Sequence, residues 1–121
     1  AIDLDDMETR EGLVYLPNSD LAYTGDAVSH WPNGKKSMEK TFKDGLTDGA
    51  CTAWYENGNK RVQSLWARGK MNGLLTAWHE NGNKWRETHL KENKLDGVCI
   101  WYNEDGSEKE RTVYKDGEPI D

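Results

Sequence analysis

Aliphatic side chains are scarce in this chain. Leu, Ile, Val and Phe together make up 19 of its 121 residues, below the roughly 20% at which disorder becomes the default expectation. Mean hydropathy is -0.99. The apolar stretches, such as Val98-Cys99-Ile100-Trp101-Tyr102, fall far short of the about 20 residues that cross a bilayer as a helix, so no membrane insertion is expected. Cysteine is equally sparse. Cys51 and Cys99 form no CxxC and no zinc-ligand spacing, and two are too few for a small disulfide-built scaffold. There is no basic run, the pI is near 5.1 and the net charge is -6. This argues against nucleic acid, disfavours contact with an anionic membrane surface, and suits a cationic protein or peptide better.

The residues that are present change the reading. A net charge of -6 over 121 residues is weak self-repulsion, and six Trp and five Tyr are too many for a typical disordered chain. Few aliphatics beside many aromatics imply a folded chain with a thin core of large rings and tight Gly turns.

A period of 24 residues organises the chain. Gly25, Gly49, Gly73 and Gly97 make one column; Gly34, Gly58, Gly82 and Gly106 a second; Gly45, Gly69, Asn93 and Gly117 a third. Phe42, Trp66, Leu90 and Tyr114 form a fourth, and Lys36, Lys60, Lys84 and Glu108 a fifth. Such self-similarity marks a repeat architecture. Each unit reads as a β-hairpin. Asn33-Gly34, Asn57-Gly58, Asn81-Gly82 and Asp105-Gly106 lie between strand-like runs, where the type I′ turn is the preferred reading. Asp44-Gly45, Arg68-Gly69, Glu92-Asn93 and Asp116-Gly117 mark a second turn at each unit boundary, with positive φ expected at the Gly or Asn. The expected fold is all-β: an elongated antiparallel meander of about eight strands in a single-layer twisted sheet. Four units occupy residues 25–48, 49–72, 73–96 and 97–121. Residues 10–24 are a degenerate first unit, and residues 1–9 an acidic flexible leader. No helical stripe is long enough to compete.

A two-residue turn at Asn57-Gly58 pairs Trp54 with Arg61, and the same frame pairs Trp78 with Trp85 and Tyr102 with Lys109. Alternation then sorts the side chains into two faces. Ala27, Cys51, Leu75, Cys99, Ala53, Ala77, Trp101, Trp31, Tyr55 and the Phe42 column fall on one, read as the core face. Cys51 and Cys99 lie there two units apart, too far for a disulfide, so both are expected as free, partly buried thiols. The opposite face gathers Trp54, Trp78, Trp85 and Tyr102 among Arg61, Glu87 and Lys109. These seven residues are the candidate binding face: aromatic anchors with polar specificity groups between them. Packing that merely stiffens the sheet explains the same column.

The pattern resembles the MORN repeat, in the bacterial variant of the YwqK family. Gly49 through Trp54-Tyr55-Glu56-Asn57-Gly58 to Lys60, then Trp66 and Gly69, carries the resemblance. Gly73 to Gly82 repeats it with Trp78 and His79, and Gly97 to Gly106 with Trp101 one place forward. The resemblance implies a non-catalytic module, and family members are named as antitoxins that neutralise a partner toxin.

Little points to catalysis. His30, His79 and His89 scatter over both faces, so no metal site is expected, and no cofactor scaffold or nucleophile motif occurs. The recurrent Glu56, Glu80 and Glu104 suit turn chemistry and solubility. The preferred function is therefore a protein–protein interaction module with a partner of unknown identity, antitoxin-like in its narrower form. A lipid- or glycan-binding surface protein using the aromatic face, and a structural repeat of the envelope self-associating through sheet edges, remain as alternatives. The chain begins at Ala1, and a small residue at a cleavage boundary leans the expectation towards a periplasmic or secreted location.

Overall fold

Two turns alternate along the chain, and each is built differently from the other. In the computed structural model, which describes residues 2–120, they join fourteen strands. These are β1 (Ile2–Asp3), β2 (Glu8–Arg10), β3 (Leu13–Tyr15), β4 (Gly25–His30), β5 (Lys36–Lys43), β6 (Leu46–Trp54), β7 (Lys60–Ala67), β8 (Lys70–Met71), β9 (Gly73–Trp78), β10 (Lys84–Lys91), β11 (Lys94–Leu95), β12 (Gly97–Tyr102), β13 (Glu108–Lys115) and β14 (Glu118–Ile120). Ala1, on which the export expectation rests, and Asp121 lie outside the described residues. The chain is all-β: a 12-stranded open sheet ordered β1-β4-β5-β6-β7-β9-β10-β12-β13-β14, with β8 on β7 and β11 on β10, and a separate β2-β3 hairpin. Eight longer strands, β4 to β7, β9, β10, β12 and β13, form the antiparallel meander.

The type I′ turns sit at the other end of the hairpins from where the Asn-Gly pairs pointed. At the unit boundaries both central residues have positive φ: Asp44 at 50° and Gly45 at 84°, Arg68 at 51° and Gly69 at 82°, Glu92 at 47° and Asn93 at 70°. Lys43 pairs directly with Leu46, closing a two-residue loop. At Asn57-Gly58 only the glycine is left-handed, at 93°. Gly58 N–H donates to the Tyr55 carbonyl at 3.0 Å, and Tyr55 N–H to the Asn59 carbonyl at 2.9 Å. That is a three-residue loop closed by a glycine bulge.

The longer loop shifts the register next to it. Trp54 pairs with Lys60, not Arg61, and Trp78 with Lys84, not Trp85. Tyr102 pairs with Glu108, not Lys109. One residue further in, Ala53 meets Val62 and Trp101 meets Glu110, and the expected frame resumes. Ser37, Arg61, Trp85 and Lys109 are thus extra residues in a bulge that recurs in every unit.

Small side chains fill the middle of the sheet. Ala27, Ala53, Ala77, Cys99, Phe42, Ser64 and Thr88 are buried on one face, and Val28, Thr52 and Thr76 on the other. Burial on both faces corrects the expectation of a single core face. Cys51 and Cys99 are free thiols, the first half-buried and the second buried. Burial raises the Cys51 pKa, against the opposing pull of Lys40 and a hydrogen bond with Ser64.

The leader, expected as a flexible tail, folds back instead. Ile2–Asp3 pair in parallel with Ala27–Val28, and a 3-10 turn at Leu4–Asp6 is capped by the Asp3 side chain accepting from Asp5 N–H at 2.8 Å. The β2-β3 hairpin docks on the first boundary turn, where Val14 N–H donates to the Gly45 carbonyl at 2.9 Å. Gly45 is obligatory there: a Cβ would lie 2.9 Å from Leu13 Cβ and 3.0 Å from Ala22 Cβ.

Candidate functional site

The bulge divides the candidate binding residues between two faces. Trp54, Trp78, Tyr102 and Glu87 share one face, because they follow the regular alternation of β6, β9, β12 and β10. The displaced register also turns Lys36 and Lys60 onto it. Lys36 Nζ lies 6.0 Å from the Trp54 ring centre, and Lys60 Nζ 5.7 Å from that of Trp78. Each tryptophan thus takes a lysine from the preceding hairpin as a cation–π cover.

Tyr102 and Glu87 complete this stripe. The Tyr102 hydroxyl donates to Glu87 Oε1 at 2.5 Å, and Lys84 Nζ lies 3.4 Å from Glu87 Oε2. The Tyr102 hydrogen bond, then Lys84, hold the Glu87 carboxyl below its ordinary pKa, while burial opposes them. The same bond raises the pKa of Tyr102. The polar partners of this stripe are within the stripe itself. Cation–π contacts, one hydrogen bond and one ion pair join its residues across the strands.

Arg61 and Trp85 emerge on the opposite face, among residues expected to be core. A cavity of about 420 Å³ there is lined by Tyr55, Arg61, Val62, Leu75, Ala77, Trp85 and Arg86. Val62, Leu75 and Ala77 form its apolar floor, and Tyr55 and Trp85 its aromatic walls. Arg86 is held by Trp101, whose ring centre is 5.6 Å from its guanidinium carbon. Two adjoining depressions also reach Arg61. One is lined by Trp31, Glu56 and Glu80 with Tyr55 and Asn57; the other includes Asp5, Trp31 and Met38.

Arg61 and Arg86 have no carboxylate within ion-pair distance among the described residues. Arg86 Nε is buried and has no hydrogen-bond partner among the described residues. Elsewhere lysine and arginine meet acids three residues away, as in Lys36–Glu39 at 3.4 Å and Arg111–Glu108 at 2.6 Å. Lys109 occupies the bulge position of the last unit and is exposed.

Arg61 and Trp85 thus lie on the face opposite to the one expected for them, together with Tyr55, which was expected there, and Arg86, which was not singled out. No group of three or more His, Cys, Asp or Glu able to hold a metal occurs among the described residues. Among the described residues no helix is long and apolar enough to cross a membrane. No family model matches the chain, and no curated protein matches it.

Proposed function

We propose that this chain is a non-catalytic protein-interaction module of the MORN-repeat type, with antitoxin-like neutralisation of a partner as its narrower form. The observation that carries the reading is the cavity on the Arg61 face. A single-layer sheet has no second layer to cover that face, so its aromatic walls and two guanidiniums meet solvent or a partner. Aromatic and arginine side chains around a small apolar floor are the usual composition of an interface centre. Adjacent hairpins repeat every two strands, about 10 Å apart at ordinary strand spacing, which suits an extended partner surface.

Site-specific photo-crosslinking tests this reading. A benzoylphenylalanine replacing Trp85, and separately one replacing Trp54, is irradiated in native extract. The reading expects discrete protein adducts from the Trp85 position and few from Trp54. Protein adducts from neither position would overturn it.

A further inference from the structure

We infer that the cavity between Tyr55 and Trp85 receives an acidic side chain of an extended segment of the partner protein. Arg61 and Arg86 hold the carboxylate, and an apolar neighbour of that acid rests on Val62 and Ala77. The inference rests on the protein-binding reading above and names the chemistry of the partner.

Three observations converge on an acid. First, two guanidiniums line one cavity with no acidic residue among its lining. The chain does not lack acids: Asp and Glu number 22 against 16 Lys and Arg. The Glu39 and Glu87 positions supply partners to Lys36 and Lys84 on the other face, and the bulge carries Arg61 away from that supply. Second, Arg86 is fixed over Trp101. The stacking on Trp101 holds the side chain in place where it lines the cavity. The guanidinium stays charged and presents a planar fork that fits a carboxylate through two hydrogen bonds. Third, the floor is apolar, so a carboxylate seated there gains from low local dielectric and a flanking apolar side chain gains from burial. The volume of about 420 Å³ lies within the range of side-chain and small-ligand pockets.

The overall charge of -6 opposes an acidic partner only at long range. At physiological salt the Debye length is about 8 Å, so the groups lining the cavity decide the contact. The neighbouring depression shares Tyr55 and Arg61 with the cavity and is also lined by Glu56 and Glu80, neither of which lies within ion-pair distance of Arg61.

The experiment is selection of a phage-displayed random dodecapeptide library on the intact immobilised chain and, in parallel, on the Arg61→Gln/Arg86→Gln variant. Binding of polygalacturonate and of phosphatidylserine vesicles is measured on the same surfaces. Circular dichroism and a thermal melt verify the fold of the variant; Arg61→Gln alone replaces it if the double change unfolds the chain. The expected result is enrichment of peptides in which Asp or Glu adjoins Leu, Ile, Phe, Trp or Tyr. Their affinity should fall at least about 10-fold on the variant, the loss of a desolvated charge contact. Enrichment of basic or uncharged peptides, or equal binding to both chains, overturns the acidic assignment and leaves the protein-binding reading standing. No peptide enrichment, with binding only to polygalacturonate or the vesicles, overturns both.

Discussion

The Tyr55 hydroxyl donates to the carbonyl oxygen of Trp78 at 2.7 Å, spanning from one hairpin to the next. Trp31 Nε1 makes the equivalent bond to the Trp54 carbonyl at 3.1 Å. The third member of the series is His79, packed on Trp85 with ring centres 6.4 Å apart, and its Nε2 is buried without a partner among the described residues. An imidazole is shorter than a phenol and does not make the bond. His79→Tyr should therefore bring a hydroxyl to the Tyr102 carbonyl and stabilise the chain by about 1 kcal/mol, the net worth of one hydrogen bond. Urea denaturation of both chains measures it; a lower midpoint for the variant would contradict the series.

A second ladder runs along the long loops. Asn33, Asn57 and Asn81 each donate a side-chain N–H to the carbonyl of Glu56, Glu80 and Glu104 in the next loop, at 2.9, 3.0 and 3.0 Å. Asp105 stands at the fourth position and has no such proton. Its carboxylate accepts from Ser107 N–H and Oγ–H, and the hydroxyl bond leads the lowering of its pKa. Asn57→Asp should cost about 1–2 kcal/mol, because it removes a donor between units and sets a carboxylate against a carbonyl. Asp105→Asn should leave the denaturation midpoint unchanged.

Arg68 bears a left-handed backbone, φ 51°, at the first position of a type I′ turn. A side chain with a long stem pays for that conformation, whereas Asn tolerates it. Arg68→Asn keeps the Asp48 bond to the residue 68 backbone N–H, 3.1 Å long. It should raise stability by about 0.5–1 kcal/mol, read from the shift in thermal midpoint. No shift, or a fall, would count against the turn assignment.

Acid should loosen the Trp78 face first. The folded-state pKa of Glu87 lies below its ordinary value of 4.5, chiefly through the Tyr102 bond. Its contribution to stability is present above the unfolded value and is lost as pH falls through the folded one. Tyr102 is shifted upwards from 10.0, so its share is present below that value and is lost as pH rises through the folded one. Glu87→Gln should flatten the acid arm of a stability–pH profile, and Tyr102→Phe should blunt both arms. An unchanged acid arm in Glu87→Gln would show that the pair does not stabilise the fold.

The period of 24 residues was enough to place the eight long strands, the boundary turns and the free thiols. The Gly and aromatic columns mark backbone positions that only those residues fill easily. The bulge was not legible. Its four occupants, Ser37, Arg61, Trp85 and Lys109, share no chemistry, because a bulge residue outside the pairing is constrained by neither neighbour. Strict alternation then put Arg61 and Trp85 beside Trp54. The type I′ geometry falls at the boundary turns instead of at Asn57-Gly58 for a related reason: Asn57 lends its amide to the Glu80 carbonyl and has no left-handed φ. Arg86 was missed because it reads as one more charged strand residue until Trp101 is seen beneath it. The order in the leader rests on two backbone pairs to Ala27 and Val28, for which its acidic composition carries no signal.

The central claim is that binding resides at the Arg61–Arg86 cavity and that the Trp54–Trp78 stripe serves stability. Equilibrium titration of the strongest library peptide tests it most directly, on the intact chain, Arg61→Gln/Arg86→Gln and Lys60→Gln, each paired with a denaturation curve. The account predicts an affinity at least about 10-fold weaker for the arginine variant, with a fall in denaturation midpoint no larger than that of Lys60→Gln, since each loses one cation–π contact. It predicts full affinity and a lower midpoint for Lys60→Gln, which loses the cover on Trp78. Equal affinity in the arginine variant, or lost affinity in Lys60→Gln at unchanged stability, would contradict it.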